Sequence, residues 1–459
     1  MKFLNGIAKP FVAFYHRFVD GSIGTKISHV IMGFGNFMHK QFIKGLIYLG
    51  LEIAFFALMI LSPLVNNTPF GFKALKNLIT LGENEGTIFT AADDSRLMLL
   101  FGVVTIGIIV LFIFAWLSAI KSSYKADLDV RKGKKPTSFI EDIKSLLDER
   151  FHVLMLTPTC IAALIFTILP TVFMILIAFT DYGSDNKETV ESFFNWNGLT
   201  NFGNLFSTVD SELSRFGDVL LWTIIWAVFA TFTCYFAGIF VALIINKKGV
   251  RFKKLWRTIF ILTIATPQFV SLLAVRNLLG EYGPVNEMLQ ALHIIDEPME
   301  FLGNVTVDKA WIAKITIIVV NLWIGMPYTM LMTSGILMNI PTDLYEAATI
   351  DGANKTKMFT KITLPYILFV TGPYLISSFV GNITSFNVIY LLTGGLPTYI
   401  GSKAGATDLL VTWLYKLTID EGIYNVGSVI SIMTFLITAT ITLVTFRRSK
   451  SYKQEDTFQ

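Results

Sequence analysis

A polar loop between two long apolar runs carries the side chains best suited to gripping another molecule; we call it the Glu346 loop (residues 343–365). We predict that a first short helix begins with Asp343 as its N-cap and Glu346 reaching back, as in a capping box. Small alanines follow Glu346, and a helix face with small side chains is suited to docking in the cleft of a partner protein. The alternative is an amphipathic connector that only lies on the membrane surface.

The second half of the Glu346 loop begins with a predicted turn at a glycine. Asp351 and Gly352 supply a helix stop, and a second short helix is predicted to begin near Asn354, with apolar residues on one stripe. The candidate partner-contacting residues all belong to this loop; they are Glu346, Ala347, Ala348, Asp351, Gly352, Ala353 and Phe359.

Polar side chains also occur within the apolar run that follows the loop, residues 364–391. Ser378, Asn382 and Ser385 are spaced at i, i+4 and i+7, so they are predicted to share one helix face. Gly381 lies beside them and leaves room for a ligand.

Two further apolar runs carry polar and aromatic groups at a similar depth. The groups in runs 258–279 and 311–338 are Thr266, Gln268, Ser271, Asn321, Trp323, Gly325 and Tyr328. A sugar needs this mixture, because aromatic faces cover its C–H surfaces while amides and hydroxyls fix its orientation. The common depth favours a translocation pathway. The alternative is that these residues bond helix to helix and that the nearby prolines only kink the helices.

No residues in the sequence have the spacing of a catalytic or metal site. The segment from Gly352 to Thr356 differs from a phosphate-binding loop, because the first glycine and the glycine before Lys355 are missing. The five histidines are scattered without metal-ligand spacing. Lone serines in apolar helices usually bond neighbouring helices. We therefore expect no catalytic residues, no metal and no cofactor bound by this chain.

Few ionisable residues lie deep in the apolar runs, and Glu52 is the clearest of them. It is a candidate proton relay, as in a secondary transporter, but a structural role is the preferred interpretation, by snorkelling or by pairing with another helix. Cys160 and Cys234 fall inside apolar runs and are predicted to be packing residues, with no disulfide framework.

The apolar runs must position all these groups. Hydrophobic residues make up 53% of the chain and the mean hydropathy is +0.60, which is too apolar for a soluble domain, and several runs exceed the ~18 residues of a membrane span. The fold class is therefore all-α and polytopic, with about eight transmembrane helices. The predicted spans are residues 45–65, 98–119, 153–179, 219–245, 258–279, 311–338, 364–391 and 424–446.

The charges orient these spans. With the N-terminus inside, most of the 37 Lys and Arg residues fall in cytoplasmic segments, in agreement with the positive-inside rule. The cluster at residues 131–135 is interpreted as a topology anchor that touches anionic lipid. Both termini and the Glu346 loop are therefore predicted to be cytoplasmic, while residues 180–218 lie outside and carry a small cap. The first 40 residues show no signal-peptide pattern.

The order of residues in the Glu346 loop resembles the EAA loop of bacterial ABC importer permeases. The residues that keep the family spacing are Glu346, Ala347, Ala348, Gly352, Ile362, Leu364 and Pro365. In that family the loop is cytoplasmic and grips the ATPase subunit. The resemblance implies the same role for the loop here, with ATP and Mg²⁺ used by partner subunits.

From about residue 150 to 446 the chain resembles the larger membrane subunit of maltose/maltodextrin importers (MalF-type). The two extra spans before the six-span core also match. The segments that carry the resemblance are residues 321–328, 344–365, 377–382, 391–395 and 407–411. The sugar contacts that it implies are Ser271, Ile324, Gly325, Tyr328, Ser378, Asn382 and Ser385, with Gly381 beside them.

The chain departs from that family at two of these positions. Gly381 replaces an aromatic residue and Ser385 replaces an asparagine, which implies a wider or less aromatic pocket. The outer loop, residues 180–218, is also too short for the folded external domain of Gram-negative members, which indicates a Gram-positive source.

The resemblance implies a MalF-like, type I ABC importer permease fold in the plasma membrane. The expected parts are an interfacial N-terminal segment (1–44), two additional transmembrane helices (45–120), a cytoplasmic linker (121–152), a six-helix permease core with the Glu346 loop (153–446) and a cytoplasmic tail (447–459). The expected partners are a shorter, MalG-like permease subunit, two ATPase subunits, an extracellular sugar-binding lipoprotein, an oligosaccharide and the lipid bilayer, with no nucleic acid.

The resulting hypothesis is a permease subunit that translocates an oligosaccharide, expected to be maltose or a maltodextrin, without being an enzyme. One alternative is an ABC permease for another oligosaccharide. A second is an ion-coupled secondary transporter, which needs ionisable groups at the substrate depth and an internal repeat; the sequence shows neither. A membrane enzyme lacks any catalytic set of residues.

Overall fold

The computed structural model describes residues 12–65, 70–83, 93–183, 193–204, 212–247, 249–303 and 307–448. The start of the predicted N-terminal segment, two parts of the predicted outer loop and residues 449–459 of the predicted tail lie outside these ranges. The chain forms two compact units, Met1–Gly198 and Leu199–Gln459. The third predicted span lies within the first of these units.

The first unit is helical, and three of its helices are long and apolar enough to cross a membrane. Its helices are α1 (Ile23–Ile27), α2 (Phe34–Met38), α3 (Phe42–Val65), α4 (Phe72–Thr80), α5 (Ser95–Arg131), α6 (Phe139–Leu147) and α7 (Phe151–Ile177). The spans are α3, α5 and α7. Cys160 on α7 is exposed on the surface of this chain.

The N-terminal segment folds against the polar end of α5, which continues to Arg131, well past the predicted end of the second span. Hydroxyl groups fill this contact: Ser28 donates to Ser123 over 3.3 Å, and the backbone N–H of Gly35 donates to Ser28 over 2.7 Å. A Cβ at Gly35 would lie 1.8 Å from the Ser123 oxygen, so only glycine permits this approach. The described part of this segment is thus packed against α5.

Glu52 makes a structural contact that the sequence did not predict. Its carboxylate accepts a hydrogen bond of 2.8 Å from the backbone N–H of Met32, whose side chain is buried. Glu52 therefore satisfies a backbone donor in the turn before α2, which would otherwise be costly to bury.

The second unit is also helical and contains the Glu346 loop. Its helices are α8 (Thr200–Gly203), α9 (Phe216–Asn246), α10 (Lys253–Ala265), α11 (Gln268–Leu278), α12 (Pro284–Ala291), α13 (Ala310–Asn339), α14 (Thr342–Ile350), α15 (Lys355–Ile383), α16 (Asn387–Leu392), α17 (Leu410–Tyr415) and α18 (Tyr424–Arg448). Four of them, α9, α13, α15 and α18, are candidate membrane spans.

The predicted span at residues 258–279 is wrong as a single helix. It is the pair α10 and α11, bent by 94°. Pro267 explains the break, because a proline disfavours the helical conformation of the preceding residue, and Thr266 has an extended ψ of 130°. The residues before and after the break consequently lie on two differently directed helices.

The predicted span at residues 364–391 is displaced. Its helix, α15, begins at Lys355 and ends at Ile383, and α16 begins after a break at Thr384. The Thr384 hydroxyl donates back to the carbonyl of Gly381 over 3.3 Å, a local bond that competes with continued helix. Ser385 therefore does not share the helix of Ser378 and Asn382.

Helix α9 lies at the centre of the second unit and packs against α13 and α15. A Cβ at Gly238 on α9 would lie 2.6 Å from Thr329 on α13, so these helices approach closely, as small residues allow in membrane proteins. Cys234 on the same helix is buried, as predicted. The main apolar cluster of this unit includes Trp226, Leu272, Ile317, Ile389 and Leu409, all fully buried.

Candidate functional site

The first arm of the Glu346 loop is helix α14. Pro341 occupies its N-cap position, and no side chain caps the helix, so the predicted capping box is wrong. Helix α14 begins at Thr342, which places Asp343 inside the first turn. A carboxylate in that position still favours the helix through the macrodipole.

The predicted helix stop and the predicted helix start near Asn354 are both confirmed, but the second helix is not short, because it continues into the membrane span α15. Gly352 has a φ of +75°, and the backbone N–H of Ala353 donates to the carbonyl of Ala348 over 2.9 Å, as in a Schellman ending. The Asn354 side chain then caps α15, accepting from the backbone N–H of Lys357 over 2.8 Å.

The Glu346 loop exposes an apolar residue that the sequence analysis missed. Ile350 is 87% exposed, and Leu344 at the other end of α14 is 47% exposed. The predicted contact residues divide by exposure. Glu346, Ala347, Asp351 and Gly352 are exposed, and Ala348, Ala353 and Phe359 are half-buried. The sequence does contain a signal for this residue. Ile350 directly precedes the helix stop, where an apolar side chain would not stabilise an isolated loop.

A side-chain bond joins the two arms of the loop. The Tyr345 hydroxyl lies 2.8 Å from the Thr363 hydroxyl, and Thr363 is buried. The chain between Phe359 and Thr363 forms a π-helical turn that continues directly into the rest of α15. One hydrogen bond and an unbroken helical backbone thus connect α14 to a membrane-spanning helix.

The mid-span polar groups lie along one face of α15. Tyr374, Ser378 and Asn382 are spaced at i, i+4 and i+8, which corresponds to about 12 Å along the helix. Tyr328 on α13 contacts the Tyr374 end of this face, with the ring centroids 5.5 Å apart. Tyr328 is 54% exposed, so its ring presents a free surface beside the face.

Asn382 is held against the central helix α9. Its side-chain amide donates to the Thr231 hydroxyl over 2.9 Å, and its backbone carbonyl accepts from the Trp226 indole over 3.1 Å. The side chain of Asn382 is half-buried, and Gly381 next to it is exposed. A Cβ at Gly381 would meet no atom within 4 Å, so open space adjoins Asn382.

Two of the predicted mid-span residues instead pack against α9. A Cβ at Gly325 would lie 2.8 Å from the Cys234 sulfur, and the Asn321 amide donates to the same sulfur over 3.5 Å. Ile324 is half-buried against the main apolar cluster. For Asn321 and Gly325 the structure shows the helix-to-helix contacts that the sequence left as an alternative.

Ser271 and Ser385 belong to a neighbouring part of the unit. Ser271 lies on α11, which packs against α16, and Ser385 lies in the turn between α15 and α16. The Asn387 amide, at the start of α16, donates to Gln268 on α11 over 3.5 Å. The two serines are half-buried, at the junction where the broken helix pair meets the end of α15.

An ion pair that the sequence analysis missed supports the segment after α16. Asp408 is fully buried and accepts from Lys416 over 2.7 Å, from the backbone N–H of Gly405 over 2.7 Å and from Thr412 over 2.9 Å. Burial raises the pKa of the Asp408 carboxyl above its usual value, and Lys416 opposes that rise. The pair fixes the connection between α16 and α18.

Comparison with known proteins decides the family. Residues 234–449 match the family described as binding-protein-dependent transport system inner membrane component. The chain is 34% identical over 434 residues to the maltodextrin transport system permease protein MalC of Streptococcus pneumoniae, covering 93% of this chain and 96% of the relative. The chain belongs to this family. It is a membrane-spanning permease subunit of an ABC importer, a transport component and not an enzyme.

Two further similarities support this assignment. The permease is 33% identical over 427 residues to the galactooligosaccharides transport system permease protein GanP of Bacillus subtilis, covering 93% of this chain and 97% of the relative. Its fold is similar to a chain of the crystal structure of a bacterial alginate ABC transporter in complex with alginate pentasaccharide-bound periplasmic protein. The TM-score is 0.54 at 22% identity, over 67% of this permease and 96% of that chain.

Proposed function

We propose that this permease imports a maltodextrin. The relative with 34% identity over nearly its whole length is named as a maltodextrin permease. The single observation that carries the proposal from the structure is the face of α15 around Asn382. An amide, open space at Gly381 and an exposed aromatic ring at Tyr328 lie along one helix and its neighbour. A glucose oligomer needs this combination of stacking and hydrogen bonding.

The sugar path would use the residues proposed from the sequence in two groups. Tyr328, Ser378, Gly381 and Asn382 would contact the sugar along α15. Ser271 and Ser385 would contact it at the junction of α11 and α16, while Ile324 and Gly325 would shape the wall of the path from behind. The side chains of these eight residues are all uncharged, which is appropriate for a neutral sugar.

Coupling to ATP hydrolysis would occur at the Glu346 loop. Its exposed residues, with Ile350 at the centre, would sit in a cleft of an ATPase subunit. The Tyr345–Thr363 bond and the continuous helix α15 would then convert closure of the ATPases into a movement of the sugar-binding face. This chain itself would bind neither ATP nor a metal.

The complete importer would contain a second, MalG-like permease subunit, two ATPase subunits and an extracellular lipid-anchored sugar-binding protein. The charge distribution supports an orientation in the plasma membrane with both termini and the Glu346 loop in the cytoplasm. The ATPases would therefore lie on the same side of the membrane as the lysines of residues 131–135.

A galacto-oligosaccharide is the second candidate cargo. A relative of nearly equal identity and coverage is named as a galactooligosaccharide permease. Both cargoes are neutral oligosaccharides, and a widened pocket at Gly381 suits either of them.

A competition assay tests the proposal. The assembled importer is reconstituted in vesicles with ATP and its binding protein, and uptake of labelled maltotriose is competed with maltose, longer maltodextrins, galacto-oligosaccharides and raffinose. We expect maltodextrins to compete best and uptake to require ATP. Preferential competition by galacto-oligosaccharides would favour the second candidate, and competition by none of the sugars would contradict an oligosaccharide path.

A further inference from the structure

A cavity of about 560 Å³ lies in the first unit, at the start of the first membrane span. One wall is the turn from His39 into α3, and the other is the segment from Lys135 to the start of α6. Its size falls in the usual range for a ligand site. Helix α3 is a candidate membrane span that begins at Phe42, which places the cavity at the expected boundary between water and lipid.

The two walls are tied together, so the cavity is built before any ligand arrives. Gln41 and Lys44 both donate to the backbone carbonyl of Thr137, over 2.7 and 2.6 Å. Lys44 also pairs with Asp142 on α6 at 2.5 Å, and its side chain is only 7% exposed. The charge of Lys44 is therefore neutralised inside the wall.

Two other lysines at the cavity keep a free charge. Lys40 and Lys135 line it and are exposed, and neither forms an ion pair with another residue in the described ranges. Lys40 also has a φ of +60°, a conformation that is rare for a residue with a side chain. Lys40 takes this conformation in the turn between α2 and α3.

The remaining lining is apolar. Phe42 is 64% exposed and Ile43 is 55% exposed, while Pro136 and Phe139 on the other wall are half-buried. Free cations beside an apolar floor at the membrane boundary match the two halves of a phospholipid, whose phosphate pairs with lysine while its acyl chains cover apolar surface.

We propose that this cavity binds an anionic glycerophospholipid, with the phosphate between Lys40 and Lys135 and the upper acyl chains against Ile43 and Phe139. A bound lipid would join the start of α3 to the linker before α6. Lysine near an anionic surface improves binding about 5-fold, so loss of both free lysines is expected to weaken retention of the lipid about 25-fold. The inference holds whichever sugar the permease imports.

The charge test uses the assembled importer purified in detergent and titrated with phosphatidylglycerol or phosphatidylcholine, with lipid adducts counted by native mass spectrometry. The variant is Lys40→Asn with Lys135→Gln, since asparagine tolerates a positive φ. The matched control is Lys132→Gln with Lys134→Gln, which removes two charges from the same basic run outside the cavity. We expect phosphatidylglycerol adducts in the wild type and the control and their loss in the cavity variant.

A second pair tests the apolar half without changing charge. Ile43→Trp would fill the cavity floor, whereas Leu46→Trp adds the same bulk to an exposed position outside the lining. Only Ile43→Trp should displace the lipid. Glycerol phosphate and inorganic phosphate serve as further probes, and binding of these as tight as that of phosphatidylglycerol would overturn the lipid assignment. Equal adducts with phosphatidylcholine, or equal losses in cavity and control variants, would overturn the site.

Discussion

The hydroxyl groups of Tyr345 and Thr363 lie 2.8 Å apart and join the two arms of the Glu346 loop. Tyr345 belongs to the exposed helix α14, and Thr363 belongs to the π-helical turn that leads into the membrane-spanning part of α15. The same helix carries Asn382 five turns further on. One side-chain contact therefore links the proposed ATPase-docking helix to the helix that carries the proposed sugar-binding face.

The first prediction concerns this link. Tyr345→Phe removes the hydrogen bond while keeping the ring, and a bond of this kind contributes about 0.5–1.5 kcal/mol. We expect the amount of sugar imported per ATP hydrolysed to fall, measured in vesicles containing the assembled importer. The control is Tyr366→Phe, which removes the hydroxyl of a partly exposed tyrosine on α15 and should leave this ratio unchanged. An unchanged ratio in Tyr345→Phe would show that the bond does not transmit movement.

The second prediction concerns the backbone at Gly352. Its φ is +75°, and an added Cβ would meet no atom of this chain within 4 Å, so within this chain a substitution acts through backbone strain. A β-branched residue is a strong outlier in this conformation, while asparagine adopts it readily. We expect Gly352→Val to remain in the membrane but to uncouple ATP hydrolysis from uptake, and Gly352→Asn to retain coupling. Normal uptake and normal stimulation of ATP hydrolysis in Gly352→Val would remove this turn from the mechanism.

The third prediction concerns the buried pair of Asp408 and Lys416. Lys416→Gln leaves the carboxylate buried without its cation, which typically costs about 3–5 kcal/mol, whereas replacing both charged groups is often nearly neutral. We expect thermal unfolding of the importer to shift down in Lys416→Gln and to recover in Lys416→Gln with Asp408→Asn.

The pH dependence of Lys416→Gln follows from the same pair. Lys416 lowers the pKa of Asp408, so its loss lets burial raise that pKa further. A folded-state pKa above the unfolded value makes the protein more stable as the pH falls. The loss of stability in Lys416→Gln relative to the wild type should therefore become smaller between about pH 7.5 and about pH 5. A deficit that stays constant, or that persists in the double variant, would contradict the interpretation of this pair.

Local backbone chemistry could be predicted from the sequence better than contacts between distant residues. The helix stop at Gly352 and the helix start near Asn354 depend on neighbouring residues only, and both are confirmed, although the capping box predicted at Asp343 does not form. The bend at Pro267 was missed because hydropathy alone does not distinguish a broken span from a straight one. The contact of Ser28 with Ser123 joins residues far apart in the chain, and no local pattern encodes it.

The proposed sugar site shows the same limit. Helical periodicity placed Ser378 and Asn382 on one face, but the end of α15 at Ile383 depends on side-chain bonds that periodicity does not reveal. Gly325 was among the implied sugar contacts, but it packs against Cys234 of another helix, a contact that no local pattern encodes.

The fourth prediction concerns Glu52. Its carboxylate accepts a hydrogen bond from the backbone N–H of Met32, and a glutamine oxygen can accept the same bond. We expect Glu52→Gln to keep stability and transport at every external pH. Glu52→Leu leaves the backbone donor unpaired, at a cost of about 1–3 kcal/mol, and should lower the melting temperature. Loss of transport in Glu52→Gln with stability unchanged would instead point to a proton-linked role.

The last prediction tests the sugar path at Asn382. If its amide binds sugar, Asn382→Ala should weaken sugar binding by about 1–3 kcal/mol, or about 5- to 150-fold, while assembly and basal ATP hydrolysis persist. Asn382 also bonds to Thr231, so Asn382→Ala alone does not separate sugar binding from helix packing. Thr231→Val breaks the same bond from the other side and leaves the amide in place. Strong loss of uptake in Asn382→Ala with little change in Thr231→Val would support a sugar contact.

Gly381 supplies the second half of this test, because open space adjoins it. Gly381→Ala adds a methyl group that touches nothing and should retain the range of sugars accepted. Gly381→Phe projects an aromatic ring into the same space and should narrow that range, with the longest or bulkiest oligosaccharides affected first. The measurement is competition of labelled sugar uptake by maltose, maltodextrins and galacto-oligosaccharides. If both variants rank the sugars as the wild type does, and Thr231→Val loses uptake as fully as Asn382→Ala, the polar groups on α15 hold helices together and the sugar passes elsewhere.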